Sequence, residues 1–93
     1  MIVTAEISLY PLADEFVDEI RDFILRLRRE PGVEIITNQM STQLRGDFDA
    51  VTGALNRCMR TSMQRSHTLV FVAKFLNADL PIGQAPVIAA DAR

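Results

Sequence analysis

The chain has 93 residues, 48% of them hydrophobic, and a net charge of −2. That is enough for one globular domain and too apolar for a disordered chain. Positive and negative charges alternate along the sequence and no basic block stands out, so a nucleic-acid partner, which needs phosphates neutralised on one face, is not expected. The single cysteine, Cys58, and four methionines suit a reducing compartment, and no apolar run approaches the ~18 residues of a membrane span. The N-terminus lacks the basic-then-apolar pattern of a secretory signal. A cytoplasmic location away from membranes is expected.

Ile2 to Tyr10 alternates as a strand: Val3, Ala5, Ile7 and Leu9 form a core face, and Ile2, Thr4, Glu6, Ser8 and Tyr10 a mixed one. Pro11 ends its pairing. Asp14 is placed to cap a helix whose apolar face is Phe16, Ile20, Phe23, Ile24 and Leu27, with Val17 at its edge. Acids lie early in that helix and arginines late, as the helix dipole favours. The arginines at 26, 28 and 29 read as a solvated last turn rather than a phosphate site. Pro31-Gly32 stops the helix.

Val33 to Asn38 predicts a second strand, a turn near Gln39-Met40 follows, and Ser41 to Arg45 predicts a third strand closed by Gly46-Asp47. Asp47 caps a second helix with Val51, Leu55, Cys58, Met59 and Ser62 on one face. Gly53 inside that helix costs ~1 kcal/mol relative to alanine, and close approach to the sheet would explain it. His67 to Leu76 predicts the fourth strand, with Leu69, Phe71, Ala73 and Phe75 on one face and Val70, Val72 and Lys74 on the other. Both faces are largely apolar, which argues for cover on both sides. Residues 79–93 follow the domain as a tail, docked through Leu80, Ile82, Val87 and Ile88 or disordered.

The order β-α-β-β-α-β predicts an α+β, ferredoxin-like sandwich: a four-stranded antiparallel sheet, strands one and three central, with both helices on one face. The domain spans residues 1–78. The helix-free face is expected to be covered by another subunit, giving a homodimer or homotetramer.

Fold leaves function open. Cys58 is alone on an apolar helix face, so it reads as core rather than as a soft-metal ligand. The third strand has no aromatic residue to stack an RNA base. His67 is the only histidine and has no obvious acid partner, which gives little support to an isomerase or oxygenase. No phosphate loop, serine-nucleophile motif or paired-carboxylate spacing is present. Binding without catalysis, cofactor or metal is therefore expected. Glu6 is central to it: a carboxylate in mid-strand on a covered face needs a partner, either Arg45 or Lys74, or a cationic ligand. Tyr10 and Met40 offer flat or soft surfaces, and Ser8, Ser41 and Thr42 offer hydroxyls, each with packing or turn bonding as its ordinary role.

Ser8-Leu9-Tyr10-Pro11-Leu12 before an acidic helix start, together with Met40-Ser41-Thr42, Gly46-Asp47, Asp49 and Val51, resembles two signatures of the small thiamine-binding proteins of the YkoF-like family. Asn77-Ala78 and Pro81 resemble its ending. Asp79 stands where a cysteine is frequent, and the tail beyond Pro81 lies outside the pattern. The resemblance implies a ferredoxin-like domain that binds thiamine or its hydroxymethylpyrimidine portion, in precursor uptake or salvage. Glu6, Ser8, Tyr10, Met40, Ser41 and Thr42 are the ligand residues it implies. Some members carry two domains in one chain, so here a partner copy would come from another subunit. The alternatives are a structural or regulatory oligomeric domain without a ligand, and a small isomerase or oxygenase using His67.

Overall fold

A computed structural model describes residues 1–14, 16–65 and 68–89. Its elements are β1 (Ile2–Pro11), α1 (Val17–Arg28), β2 (Val33–Thr37), β3 (Thr42–Asp47), α2 (Phe48–Met63) and β4 (Leu69–Leu76). The sheet order is β2-β3-β1-β4, and all three neighbouring pairs are antiparallel. This is the ferredoxin-like arrangement, with the two longest-range pairings made by β1.

In β1 the pleat sorts residues as the alternation predicts, whereas Phe75 of β4, on the same side as Phe71, is exposed. Val3, Ala5, Ile7 and Leu9 are buried with Leu44 beneath Phe23 and Leu27 of α1 and Val51, Ala54, Leu55 and Cys58 of α2. Phe23 meets Phe71 of β4 with ring centroids 5.2 Å apart and a 52° tilt, a geometry worth about 0.5–1.5 kcal/mol beyond area burial. The helices are tied on their outer side by Arg65 to Glu19 and Asp22, and by Arg26 to the buried Ser62. Glu30, after α1, takes two hydrogen bonds from the Arg57 guanidinium at 2.9 and 3.0 Å. Those bonds hold its carboxyl below the usual carboxylate range.

Several local expectations shift. Asp14 does not cap α1: Phe16 occupies the N-cap position with helical backbone angles, and among the described residues no side chain caps it. A capping carboxylate needs the extended backbone that Phe16 lacks; Asp18 and Glu19 in the first turn supply the negative charge instead. Asp47 does cap α2, accepting from the Asp49 N–H at 3.2 Å. β3 does not close at Gly46-Asp47 but runs through them, because Gly46 pairs with Val3 on one side and Val33 on the other. β4 begins at Leu69, and the expected strand start at His67 lies outside the described residues.

The two informative glycines are Gly46 and Gly53. A Cβ on Gly46 would sit 2.6 Å from the Gly32 carbonyl oxygen, so the turn after α1, where Gly32 adopts φ +75°, presses backbone against backbone. Gly53 does not approach the sheet; a Cβ there would meet the Arg57 guanidinium of its own helix at 3.2 Å.

The helix-free face carries Glu34 and Ile36 of β2, Gln43 and Arg45 of β3, alternate residues of β1 from Ile2 to Tyr10, and Val70, Val72, Lys74 and Leu76 of β4. Part of it is covered by this same chain. Beyond β4, the Thr4 hydroxyl donates to the Ala78 carbonyl at 2.7 Å and accepts from the Leu80 N–H at 3.1 Å. Asp79 pairs with Arg45, and Gly83 lies beside Glu34. The segment therefore crosses from β4 over β1 and β3 to β2, with Leu80 and Ile82 against the sheet. Of the four residues through which a docked tail would hold, Val87 and Ile88 are 98% and 84% exposed.

Gly46→Ala should destabilise the fold by about 2 kcal/mol, since a backbone carbonyl cannot yield as a side-chain tip can. Gly53→Ala should be neutral or stabilising by up to about 1 kcal/mol through helix propensity. Urea denaturation of both variants checks the contrast; equal midpoints would contradict it. Thr4→Val should remove hydrogen-exchange protection from the Leu80 amide and leave that of Ile7 and Leu44 intact.

Candidate functional site

The site arises from unequal strand lengths. β1 pairs with β3 only as far as Ile7 opposite Thr42, but pairs with β4 to Pro11 opposite Leu69. Among the described residues, Ser8, Leu9 and Tyr10 therefore present one edge to no strand. The β2–β3 turn folds beside that edge and leaves a notch of about 180 Å³. Ser8 to Tyr10 line one side and Thr37 to Thr42 the other. Ile20, Phe23 and Ile24 of α1 give it an apolar floor.

The turn has a local cause. The Asn38 carboxamide oxygen accepts from the N–H groups of Met40 at 2.8 Å and Ser41 at 3.1 Å, while the Asn38 N–H donates to the Ser41 carbonyl at 3.0 Å. Asparagine bonding its own backbone two and three residues on is a turn-forming device. It aims the Ser41 side chain at β1, where the hydroxyl donates to the Glu6 carboxylate at 2.8 Å.

Glu6 is on the helix-free face, one cross-strand pair inward from the notch, opposite Gln43 and Lys74. Its second oxygen lies 3.8 Å from the Lys74 ammonium. With side chains 41% and 80% exposed, that pair is loose and screened. Arg45, the other partner considered for Glu6, is committed elsewhere: Asp79 and Glu34 hold it, and its guanidinium in turn holds the Asp79 carboxyl below its ordinary range. Glu6 thus keeps one hydroxyl donor and one distant cation.

Five of the six residues singled out from the sequence line the notch: Ser8, Tyr10, Met40, Ser41 and Thr42. Their availability differs. Tyr10 and Met40 are exposed at its mouth. Thr42 is buried and its hydroxyl is shared with Thr37 at 3.0 Å, which makes it a brace between β2 and β3. Glu6 reaches the notch only through Ser41. The sequence reading missed Asn38 and the α1 floor. Asn38-x-x-Ser41 is a visible turn signature; a helix packed under a strand end leaves no comparable local signal.

His67 lies outside the described residues. Cys58 is a free, buried thiol, pushed up in pKa by burial and then by the nearby Glu30 carboxylate, consistent with core. Among the described residues no three His, Cys, Asp or Glu converge as a metal cluster, and no helix is long and apolar enough to cross a membrane.

Comparison with known proteins agrees with this architecture. The model of the YKOF-related family matches residues 2–81. No curated protein matches the chain. Among solved structures, a protein of Methanocaldococcus jannascii is 24% identical, covering 84% of this chain and 81% of its own, with a TM-score of 0.73. A Bacillus cereus domain of unknown function is 20% identical, covering 85% and 78%, with a TM-score of 0.67. A candidate thiamine biosynthesis/salvage protein from Thermotoga maritima is 17% identical, covering 94% and 91%, with a TM-score of 0.67. At these identities the likeness shows the fold.

The Asp79–Arg45 contact gives a pH expectation. Asp79 has a lowered folded pKa, so the contact contributes fully above the unfolded carboxylate value and is lost as pH falls through the lower folded one. The Leu80 amide resonance should hold its neutral-pH position until the solution is more acidic than the ordinary aspartate range. Movement already near pH 6 would contradict this.

Proposed function

Because the chain belongs to the YKOF-related family, we propose that it is a non-catalytic binding protein for thiamine or its hydroxymethylpyrimidine portion, serving uptake or salvage of thiamine precursors. The observation that carries the reading is the notch itself, which brings Ser8, Tyr10, Met40 and Ser41 together beside the under-paired Glu6. An aminopyrimidine needs a flat contact and a few directed polar groups. Tyr10 and Met40 supply the first; the Ser8 and Ser41 hydroxyls and the unpaired β1 edge supply the second. At about 180 Å³ the notch is smaller than most pockets for drug-sized ligands. It suits one substituted ring, with a thiazolium reaching outward towards the Glu6 carboxylate.

The Thermotoga maritima protein's provisional place in thiamine biosynthesis or salvage supports this reading. The exposed residues Val70 and Val72 of β4, 43% and 49% accessible, support a second element of it: association of copies through the helix-free face. A different reading, a structural or regulatory domain with no small ligand, is favoured by the contact of Glu6 with Lys74, which would then be its whole purpose.

Isothermal titration separates the two. The pyrimidine alcohol alone should retain much of the affinity of thiamine. Glu6→Gln should weaken thiamine about tenfold or more, as loss of a charge-assisted contact does, and weaken the neutral pyrimidine less. No heat and no thermal shift at saturating ligand would leave the ligand-free reading standing.

A further inference from the structure

The end of the described chain is unusual for a tail. From Leu80 to Ala89 there is no charged residue, whereas segments that stay solvated are ordinarily polar and charged. Its first half is fastened. Thr4 holds Ala78 and Leu80, Arg45 holds Asp79, and the Gln84 N–H donates to the Pro81 carbonyl at 3.1 Å. The second half, beginning where the chain has reached Glu34 on β2, is apolar and bare, with Val87 98% and Ile88 84% exposed.

The helix-free face has a matching bare region at its opposite edge. Val70 and Val72 of β4 stand beyond the stretch that residues 78–84 cover, next to Tyr10 of β1. A two-fold axis parallel to the strands, between two such faces, lays the β2 edge of one copy over the β4 edge of the other. Five residues beyond Gly83 span up to ~17 Å. That is enough to run along the partner's β4 from the level of Leu76 towards Val72, at about 3.4 Å per strand residue. An isologous contact then satisfies both bare surfaces twice.

We infer that residues 85–89 are an arm that docks on β4 of a second copy of this chain, with Ile88 against Val72. The occupant is a second copy because the exposed arm and the exposed strip are complementary, uncharged and carried by the same chain at opposite sheet edges. The inference rests on the association proposed above for the helix-free face and adds what fastens it. It concerns residues beyond the 2–81 that the family shares.

The full-length chain tests it. Val87→Asp with Ile88→Asp, at positions exposed in the single copy, should raise the dissociation constant measured by sedimentation at least about tenfold and leave the unfolding midpoint of the isolated copy unchanged. In a second full-length variant, Val72→Cys with Ile88→Cys, mild oxidation should give a covalent dimer on a non-reducing gel, with buried Cys58 unreacted. If the wild type associates but the Asp variant associates equally well, or the Cys variant closes within one chain or not at all, the arm is overturned and the face-to-face reading survives. If the wild type is monomeric at every concentration, both fall.

Discussion

The hydrogen-bonding of β1 is the constraint on which the rest depends. From Thr4 to Ile7 β1 is paired on both sides, and beyond Ile7 on one only, since β3 stops opposite Ile7 while β4 continues to Pro11. Backbone polar groups left without a ladder must find water, a turn or a ligand. Here the Asn38 turn comes close without replacing the missing strand, and the gap between them is the notch. Had β3 extended three residues further, Ser8 and Tyr10 would be ordinary surface positions in a closed sheet.

The same strand organises the other end of the sheet. Thr4, on the helix-free side, uses one hydroxyl both to give and to receive a hydrogen bond, and so fixes the chain that leaves β4. Glu6 lies midway, with Ser41 to one side and Lys74 to the other. Two features that look separate, a notch at one end and a crossing segment at the other, are thus set by alternate residues of one strand. A disturbance of its register by one residue would reverse both faces at once.

The element order, the sheet order and the core were legible in the sequence because period-two and period-3.6 patterns are local. Val3 to Leu9 and Phe23 with Leu27 fell where their spacing put them. Misjudged details came from contacts that spacing does not encode. Gly46 reads as a strand terminator until the Gly32 carbonyl is seen pressing on it; Gly53 reads as a sheet contact, and it faces Arg57 instead. Asp14 has the right chemistry for a cap two residues too early. At the site, the residue types were readable, and so was their gathering at two strand ends. That Thr42 spends its hydroxyl on Thr37, and that Asn38 holds the turn, depend on side-chain geometry. The crossing of the face by residues 78–84 depends on a hydroxyl 74 positions away in sequence, beyond any local pattern.

Cys58 carries a practical consequence. It is the sole cysteine, 4% exposed, and its thiol is held protonated by its surroundings. A protonated thiol in a packed interior is unreactive towards alkylating reagents, so the packing around it, which includes Glu30 just after α1, must open before the sulfur can be labelled. The rate at which this one atom is trapped therefore clocks the opening of the core, without a probe being added to the molecule.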